Sequence, residues 1–382
     1  MVDRKGDFMI TDHRQKEIAR VLIYRLGSLG DTVVALPCFH LIARAFPNAQ
    51  RWVLTSRIPD AKASAISSVL ENSDLIHGQL DYSTGLRSIQ GLIELRAKIR
   101  GWNPQVLIYL TEPRGRYSTL RDLVFFLSCG ITNLIGVPYN RGLAQPLWLP
   151  ARQVFEPEAE RLARCLASLG DARLADSESW NLRLTAFEIK RAQQVLATWP
   201  GRDRYIVCSV GARIHAKDWG GKNWIDLLER VSQDNPELGL VLIGAKNEFE
   251  RSEAAWARWK GPALNLCGKL SPRESAAILQ YAQLFVGHDS GPMHLAAAVS
   301  TPCVAIFSAR NKPAVWFPYG PGHQVLYHQT ECYGCGLEVC TIHNKKCIHS
   351  IQVSEALARV QNVLDRSFLN PKPAFIQESL IA

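Results

Sequence analysis

The residues with the clearest chemical potential follow a short apolar run, LFV at 284–286, in the string GHDSGPMHLAAA at 287–298. Ser290 suits a helix N-cap there, and Pro292 suits the first helical turn. Gly291 lets the backbone come close to a ligand, and the free amides of a helix start favour a negative group such as a diphosphate. Asp289, on the loop just before, could accept hydrogen bonds from hydroxyl groups, or it could simply join Ser290 in capping a structural helix. A second loop of this kind, RLGSLGD at 25–31, follows the apolar run ARVLIY at 19–24 and presents the carboxylate of Asp31 where a strand would pass into a helix. As an N-cap alone, an aspartate there would contribute about 1 kcal/mol to its helix. Gly27 and Gly30 lack the G-x-G-x-x-G spacing of a dinucleotide fingerprint, which speaks against an oxidoreductase with two nucleotide-binding halves.

Cys332, Cys335, Cys340 and Cys347 have the spacing C-x2-C-x4-C-x6-C, with His343 and His349 nearby. Four thiolates so grouped could hold a structural zinc ion tetrahedrally, although this is not a standard two-knuckle pattern; reduced or reversibly oxidised thiols are the other reading. No D-x-D pair suggests a metal-bridged diphosphate, so neither a catalytic metal nor any cofactor is expected. Arg57, Arg114, Arg116, Arg121 and Arg141 fall in or near loops of the first half. Each alone is an ordinary solvated residue; as a group they suit an anionic partner, through the bidentate contacts guanidinium makes.

These residues need a scaffold, and the alternation along the chain supplies one. Short apolar runs at 19–24, 51–55, 106–110 and 133–137 alternate with helical patterns at 32–46, 60–71, 86–100 and 117–129. The rhythm returns with strands at 205–210, 238–243, 264–266, 284–286 and 303–307, separated by helices at 222–233, 248–259, 271–281 and 292–299. Repeated strand–helix–strand implies parallel sheets covered on both faces, with ligand sites beyond the carboxyl ends of the strands. The Pro- and Gly-bearing stretch 140–157 interrupts the pattern, and the polar stretch 171–179 reads as a linker. The expected organisation is α/β: residues 1–175 form one Rossmann-like domain, 176–352 a second facing it across a cleft, and 353–382 a C-terminal helix and tail free to return to the first.

Composition agrees with a chain of 382 residues in two folded domains, at 47 % hydrophobic and 21 % charged residues. No uninterrupted apolar run of about 18 residues suggests a membrane span. The charged first twenty residues lack the apolar centre of a secretory signal, which leads us to expect a cytoplasmic protein with mostly reduced cysteines. The net charge of +9 is scattered rather than clustered, without the motif context of a nucleic-acid binder. Part of it serves solubility; the rest suits an anionic partner.

The string DSGPMHLAAA at 289–298 resembles the D-[ST]-G-x-x-H-L-A-A-A signature of the ADP-heptose:lipopolysaccharide heptosyltransferases, glycosyltransferase family 9. Its companions occur in order: RLGSLGD with TVVALP at 25–37, SVGARIHAKDWGGKNW at 209–224, and GAKNEFE at 244–250. The resemblance covers about residues 21–360 and implies the two-domain glycosyltransferase B fold. It also implies that Asp31 is the catalytic base and that Lys217 contacts the donor diphosphate. Glu248, with Glu250 as the alternative, would hold the nucleotide ribose, although an ordinary first-turn glutamate explains either. Asp289 and His294 would position the donor sugar, with Ser290 and Gly291 on the diphosphate; a structural role inside the helix is equally open for His294. The arginines at 57, 114, 116, 121 and 141 would receive an anionic lipid-linked oligosaccharide. Gly220-Gly221 departs from the Pro and polar residue frequent in relatives, which bears on the loop shape but not on Lys217.

The reaction so implied is an inverting transfer of heptose from ADP-heptose to a lipopolysaccharide core or related anionic acceptor, by a protein working in the cytoplasm at the inner-membrane face, with peripheral contact to that surface and no nucleic acid. A developing negative charge on departing ADP is what a lysine and helix amides would stabilise. Two alternatives remain at this level: a non-catalytic nucleotide-sugar binder that keeps the fold, or a transferase of the same family using another sugar.

Overall fold

The computed structural model describes residues 17–57, 64–83 and 88–369. The chain divides after Arg183 into two units, each with its own sheet.

In the first unit, β1 (Arg20–Tyr24), β2 (Gln50–Arg57), β3 (Gly78–Ser83), β4 (Val106–Tyr109) and β5 (Leu134–Ile135) form a parallel sheet in the order β3-β2-β1-β4-β5. Central β1 lies between β2 and β4, with Ile23 opposite Val53 on one side and Ile108 on the other. Its four apolar residues are buried, as a strand covered on both faces requires. Five helices matter here: α1 (Leu29–Val34), α2 (Leu36–Ala45), α3 (Ile89–Trp102), α4 (Arg116–Ser128) and α5 (Glu158–Cys165). The single helix expected from 32 to 46 is two, because Pro37 stands in the first turn of α2 and brings no amide donor, so the chain restarts at Ala35. Leu95 and Ile99 of α3 and Phe126 of α4 share one core with Leu22, Tyr24, Leu107 and Tyr109, placing both helices on the same sheet face. Within the irregular stretch 140–157, β6 (Trp148–Leu149) and β7 (Val154–Phe155) pair antiparallel. The polar segment near 171–183 is tied to its own unit: a His40 ring nitrogen bonds the Asn181 carbonyl at 2.8 Å, and Arg183 donates to the Ser73 carbonyl at 3.2 Å.

In the second unit, α6 (Ala186–Leu196) precedes β8 (Tyr205–Ser209), α7 (Gly221–Asp234), β9 (Gly239–Leu242), α8 (Phe249–Trp256), β10 (Ala263–Asn265), α9 (Pro272–Tyr281), β11 (Leu284–His288), α10 (Gly291–Ala298), β12 (Cys303–Phe307), β13 (Gln324–Tyr327) and α11 (Val353–Leu369). The sheet is parallel, in the order β10-β9-β8-β11-β12-β13. Ala356, Val360, Val363 and Leu364 of α11 belong to the same core as Trp224, Leu227 and Val231 of α7, so the C-terminal helix packs within this unit. Among the described residues no helix is long and apolar enough to cross a membrane.

Both sheets reverse direction of growth at one place. β1 has β2 and β4 as neighbours, and β8 has β9 and β11. The loops leaving β1, β4, β8 and β11 therefore open at the switch points where α/β sheets bind ligands.

Candidate functional site

The loop after β8 ends in one 3-10 turn, His215–Lys217, and is anchored on both sides. Ala216 donates its amide to the Glu338 carbonyl at 2.9 Å. His288, at the end of β11, is wholly buried; its Nδ1 donates to the Gly211 carbonyl at 3.0 Å, and its Nε2 accepts from the Trp219 amide at 3.1 Å. Burial pushes this imidazole down to about 4, so it stays neutral and works as a fixed strut. The Trp219 indole donates to the Ile351 carbonyl at 2.9 Å, pinning the loop from below. Gly220 then caps α7 at φ +105, a conformation that favours glycine, and explains the departure from Pro at this point. Asp218 is desolvated, but Arg251 and the Gly220 amide outweigh burial and hold its carboxyl below the ordinary value.

This framework delivers Lys217 to Asp289. The ammonium lies 2.7 Å from Asp289 Oδ2 and 3.3 Å from the Asp289 carbonyl oxygen. Asp289 is buried, and its Oδ2 also accepts from Asn311 at 3.3 Å. Next to it Ser290 takes the N-cap position of α10 with extended backbone, but its side chain makes no cap bond. The hydroxyl is buried and finds no partner among the described residues. Gly291 and Pro292 open the helix, as their types predict. His294 is buried one turn further on, with its ring edge-on to Trp316 at 6.4 Å. Glu248 sits at the start of α8 and accepts from the Ala245 amide at 2.7 Å. A Cβ on Gly211 would stand 1.7 Å from one of its oxygens, and one on Gly244 2.4 Å from the other. Glu248 therefore lies over the glycines that follow β8 and β9, whereas Glu250 is exposed. Lys217, Asp289, Ser290 and Gly291 are thus gathered at one switch point.

In the first unit the N-cap of α1 is Ser28 rather than Asp31; Asp31 occupies the third position of the helix and closes back on the N-cap residue, accepting from the Ser28 amide at 2.5 Å. Gly27, at φ +128, leaves room for it; a Cβ there would lie 2.7 Å from the Asp31 side chain. Beneath stands Arg25, which is buried and donates to the carbonyls of Leu110 (3.0 Å) and Asp31. Burial works against its charge, while Asp31, Glu158 and Glu112 support it. Glu158 is held by a buried fork from Arg161, at 2.6 and 2.7 Å. The Glu112 carboxyl is raised by desolvation and by the charges of Asp31 and Glu158, which Arg25 and Arg161 offset only in part.

The five arginines separate. Arg116 and Arg141 line one cleft of about 510 Å³ together with Thr119, Tyr139 and Asn140. Arg114 and Arg121 instead bond Asp122, at 2.5 and 2.9 Å, and Arg114 also donates to the Tyr24 hydroxyl at 2.9 Å. Arg57 ends β2, but its side chain lies outside the described residues. The cysteines at 332, 335, 340 and 347 are all free, and no group of three or more His, Cys, Asp or Glu among the described residues is arranged to hold a metal ion. Amides of Lys345, His343 and Ile342 hold the Cys340 thiol below its usual range, while burial pushes Cys347 up.

Residues 151–346 match the model of glycosyltransferase family 9 (heptosyltransferase), a span of just over half the chain that contains β8 to β13 and the Lys217–Asp289 pair. The chain belongs to glycosyltransferase family 9. The lipooligosaccharide heptosyltransferase 2 of Campylobacter jejuni is 22 % identical over 92 % of this chain and 100 % of its own length. Among solved structures, a family 9 glycosyl transferase from Veillonella parvula superposes with a TM-score of 0.70 at 18 % identity, covering 91 % of this chain and 98 % of that one. The ADP-heptose lipopolysaccharide heptosyltransferase II of E. coli does so with a TM-score of 0.62 at 16 % identity, covering 91 % and 99 %. The fold is the glycosyltransferase B fold, and the protein is a glycosyltransferase.

Within this transferase, three groups of the sites escape sequence reasoning. Arg25 and Glu112 meet because β1 and β4 are adjacent, a pairing no local pattern announces. His288 lies beyond the strand expected at 284–286 and ends β11 instead, and only its two ring bonds reveal the strut. For Arg25 a signal existed: a charge immediately after a buried strand, as the first residue of the loop already singled out.

Proposed function

We propose that this transferase moves heptose from ADP-heptose onto an anionic lipopolysaccharide core or related acceptor with inversion at the anomeric carbon. The observation that carries this is the Lys217–Asp289 pair, 2.7 Å apart and beside the buried, unpartnered Ser290 hydroxyl at the start of α10. Hydrogen-bond donors at a helix start and one lysine suit a diphosphate, and a buried hydroxyl without a partner suits a ligand oxygen. On this reading Lys217, Ser290 and the Gly291 amide take the ADP phosphates as negative charge develops, and Asp289 and His294 orient the sugar. Glu248, over the β8 and β9 glycines, takes the ribose hydroxyls. Asp31 accepts the proton of the acceptor hydroxyl as that oxygen attacks the anomeric carbon; the bond from that carbon to the ADP phosphate oxygen breaks, and ADP leaves. Arg116 and Arg141 receive an anionic group of the acceptor in their shared cleft. The names of the family relatives support heptose and lipopolysaccharide, and a lipid-linked acceptor places the protein at a membrane surface, the cytoplasmic face of the inner membrane.

Mass spectrometry of reactions pairing ADP-heptose and other nucleotide sugars with delipidated core oligosaccharides tests the donor and acceptor. For the base, Asp31→Asn is expected to lower kcat by about two to four orders of magnitude while the ADP-heptose Kd moves by less than about threefold. Retained turnover, or a large loss of donor binding, would remove Asp31 from this role. Lys217→Ala should weaken ADP binding by roughly tenfold to a hundredfold.

A further inference from the structure

Helices α3 and α4 cover one face of the first sheet, and their outer sides carry an apolar surface. On α4, Tyr117, Leu120, Val124 and Leu127 are exposed by 93, 62, 59 and 49 %. Their spacing of three, four and three residues sets them in one stripe along the helix. On α3, Ile89, Leu92 and Ile93 are likewise exposed. Both helices turn their opposite sides into the same core, so the two stripes look away from the same sheet face. The Arg96 Nε donates to the Ser128 carbonyl at 2.8 Å and joins the middle of α3 to the end of α4.

Cations border this surface. Arg116 and Arg121 fall on either side of the α4 stripe at the helical repeat, and Arg96 and Arg100 continue the face of α3 beyond Ile93. The two helices contain only two carboxylates: Asp122 is buried and bonded to Arg114 and Arg121, and Glu94 lies off the stripe.

We infer that this face seats the protein on an anionic phospholipid surface, with Tyr117, Leu120 and Val124 entering the boundary between headgroups and acyl chains and the arginines meeting lipid phosphates. Apolar side chains rimmed by arginine are what an interfacial helix needs on such a surface. A second copy of this chain fits less well, because a self-complementary contact would bring the same arginines together. Arg116 belongs both to this rim and to the cleft with Arg141, so the surface leads to the site proposed for the acceptor. The inference deepens the membrane-surface contact proposed above and rests on it.

The test is co-sedimentation of the full-length protein with vesicles of phosphatidylglycerol and phosphatidylethanolamine, or of phosphatidylcholine alone. The protein is expected on the anionic vesicles, with binding that weakens as salt is raised. In Tyr117→Ser/Leu120→Ser/Val124→Ser, which changes only exposed residues, binding should fall by roughly tenfold or more while transfer to a delipidated acceptor is unchanged. Binding to neither vesicle overturns this face and the membrane contact together. Wild-type binding that the triple variant retains, or equal binding to phosphatidylcholine, overturns this face and leaves membrane contact standing. A concentration-dependent dimer in sedimentation velocity that the variant abolishes assigns the stripe to a second copy and also overturns the inference.

Discussion

Lys217 brings a positive charge into a nearly closed corner, and Asp289 already answers it there. Taking two charges out of water is costly unless their geometry is good and the remaining bonding capacity is used. Here the second contact to the Asp289 carbonyl and the Asn311 amide use that capacity. His288 helps place the lysine by tying the loop after β8 to the end of β11, as a neutral ring donating on one side and accepting on the other, alongside the Ala216 and Trp219 anchors. That role has a pH signature. The imidazole is depressed from 6.5 to about 4, so below 6.5 the unfolded chain takes up a proton that the folded chain refuses until about pH 4. The stabilisation is complete above pH 6.5 and is lost as pH falls through that window, up to about 3 kcal/mol in all. Urea unfolding of the wild type and of His288→Asn, compared from pH 7 down to 4, should show the steeper loss in the wild type. Parallel curves would mean the ring does not titrate in that way.

At the level of elements, strand ends and the glycines that follow them set the site. Glu248 reaches across Gly211 and Gly244 because neither has a side chain, and a methyl group at Gly211 would fall within its carboxylate. Gly211→Ala should displace Glu248, cost about 1–3 kcal/mol in stability and weaken ADP binding. Gly221, in the first turn of α7, has open space where a Cβ would go, so Gly221→Ala should be neutral or slightly stabilising. Thermal shift with and without ADP separates the two, and equal behaviour would remove Glu248 from the nucleotide site. The same scale shows what could be read from the sequence. The buried central strands stand out as apolar runs, and Asp289, Ser290 and Gly291 follow one of them without a break. Two of the four edge strands do not: GQLDYS of β3 and QVLY of β13 are half-exposed, so no continuous apolar run marks them, whereas the edges β5 and β10 fall at the expected runs 133–137 and 264–266. Contacts made across strands are equally silent. That Arg116 and Arg141 share a cleft while Arg114 and Arg121 serve Asp122 depends on how α4 turns, which five scattered arginines cannot tell.

For the molecule as a whole, the division after Arg183 separates two complete sheets, each with its own switch point. The second unit holds every residue proposed for the donor: Lys217, Glu248, Asp289, Ser290, Gly291 and His294 all lie between β8 and the end of α10. It also keeps α11, whose Val360 and Leu364 are fully or almost fully buried against the core that includes Trp219 and Trp224. A fragment beginning at Leu184 therefore retains a closed six-stranded core, its C-terminal helix and the whole proposed donor cradle. Expressed alone, it should unfold cooperatively and bind ADP within about tenfold of the intact protein, while transferring nothing, since Asp31 belongs to the other unit. Calorimetric titration with ADP decides the matter. A fragment that folds, with α11 in place and near-native thermal unfolding, yet has lost ADP affinity by far more than tenfold would show that the cradle after β8 and β11 is not sufficient for the nucleotide, and the donor assignment of Lys217 and Ser290 would have to be given up as it stands.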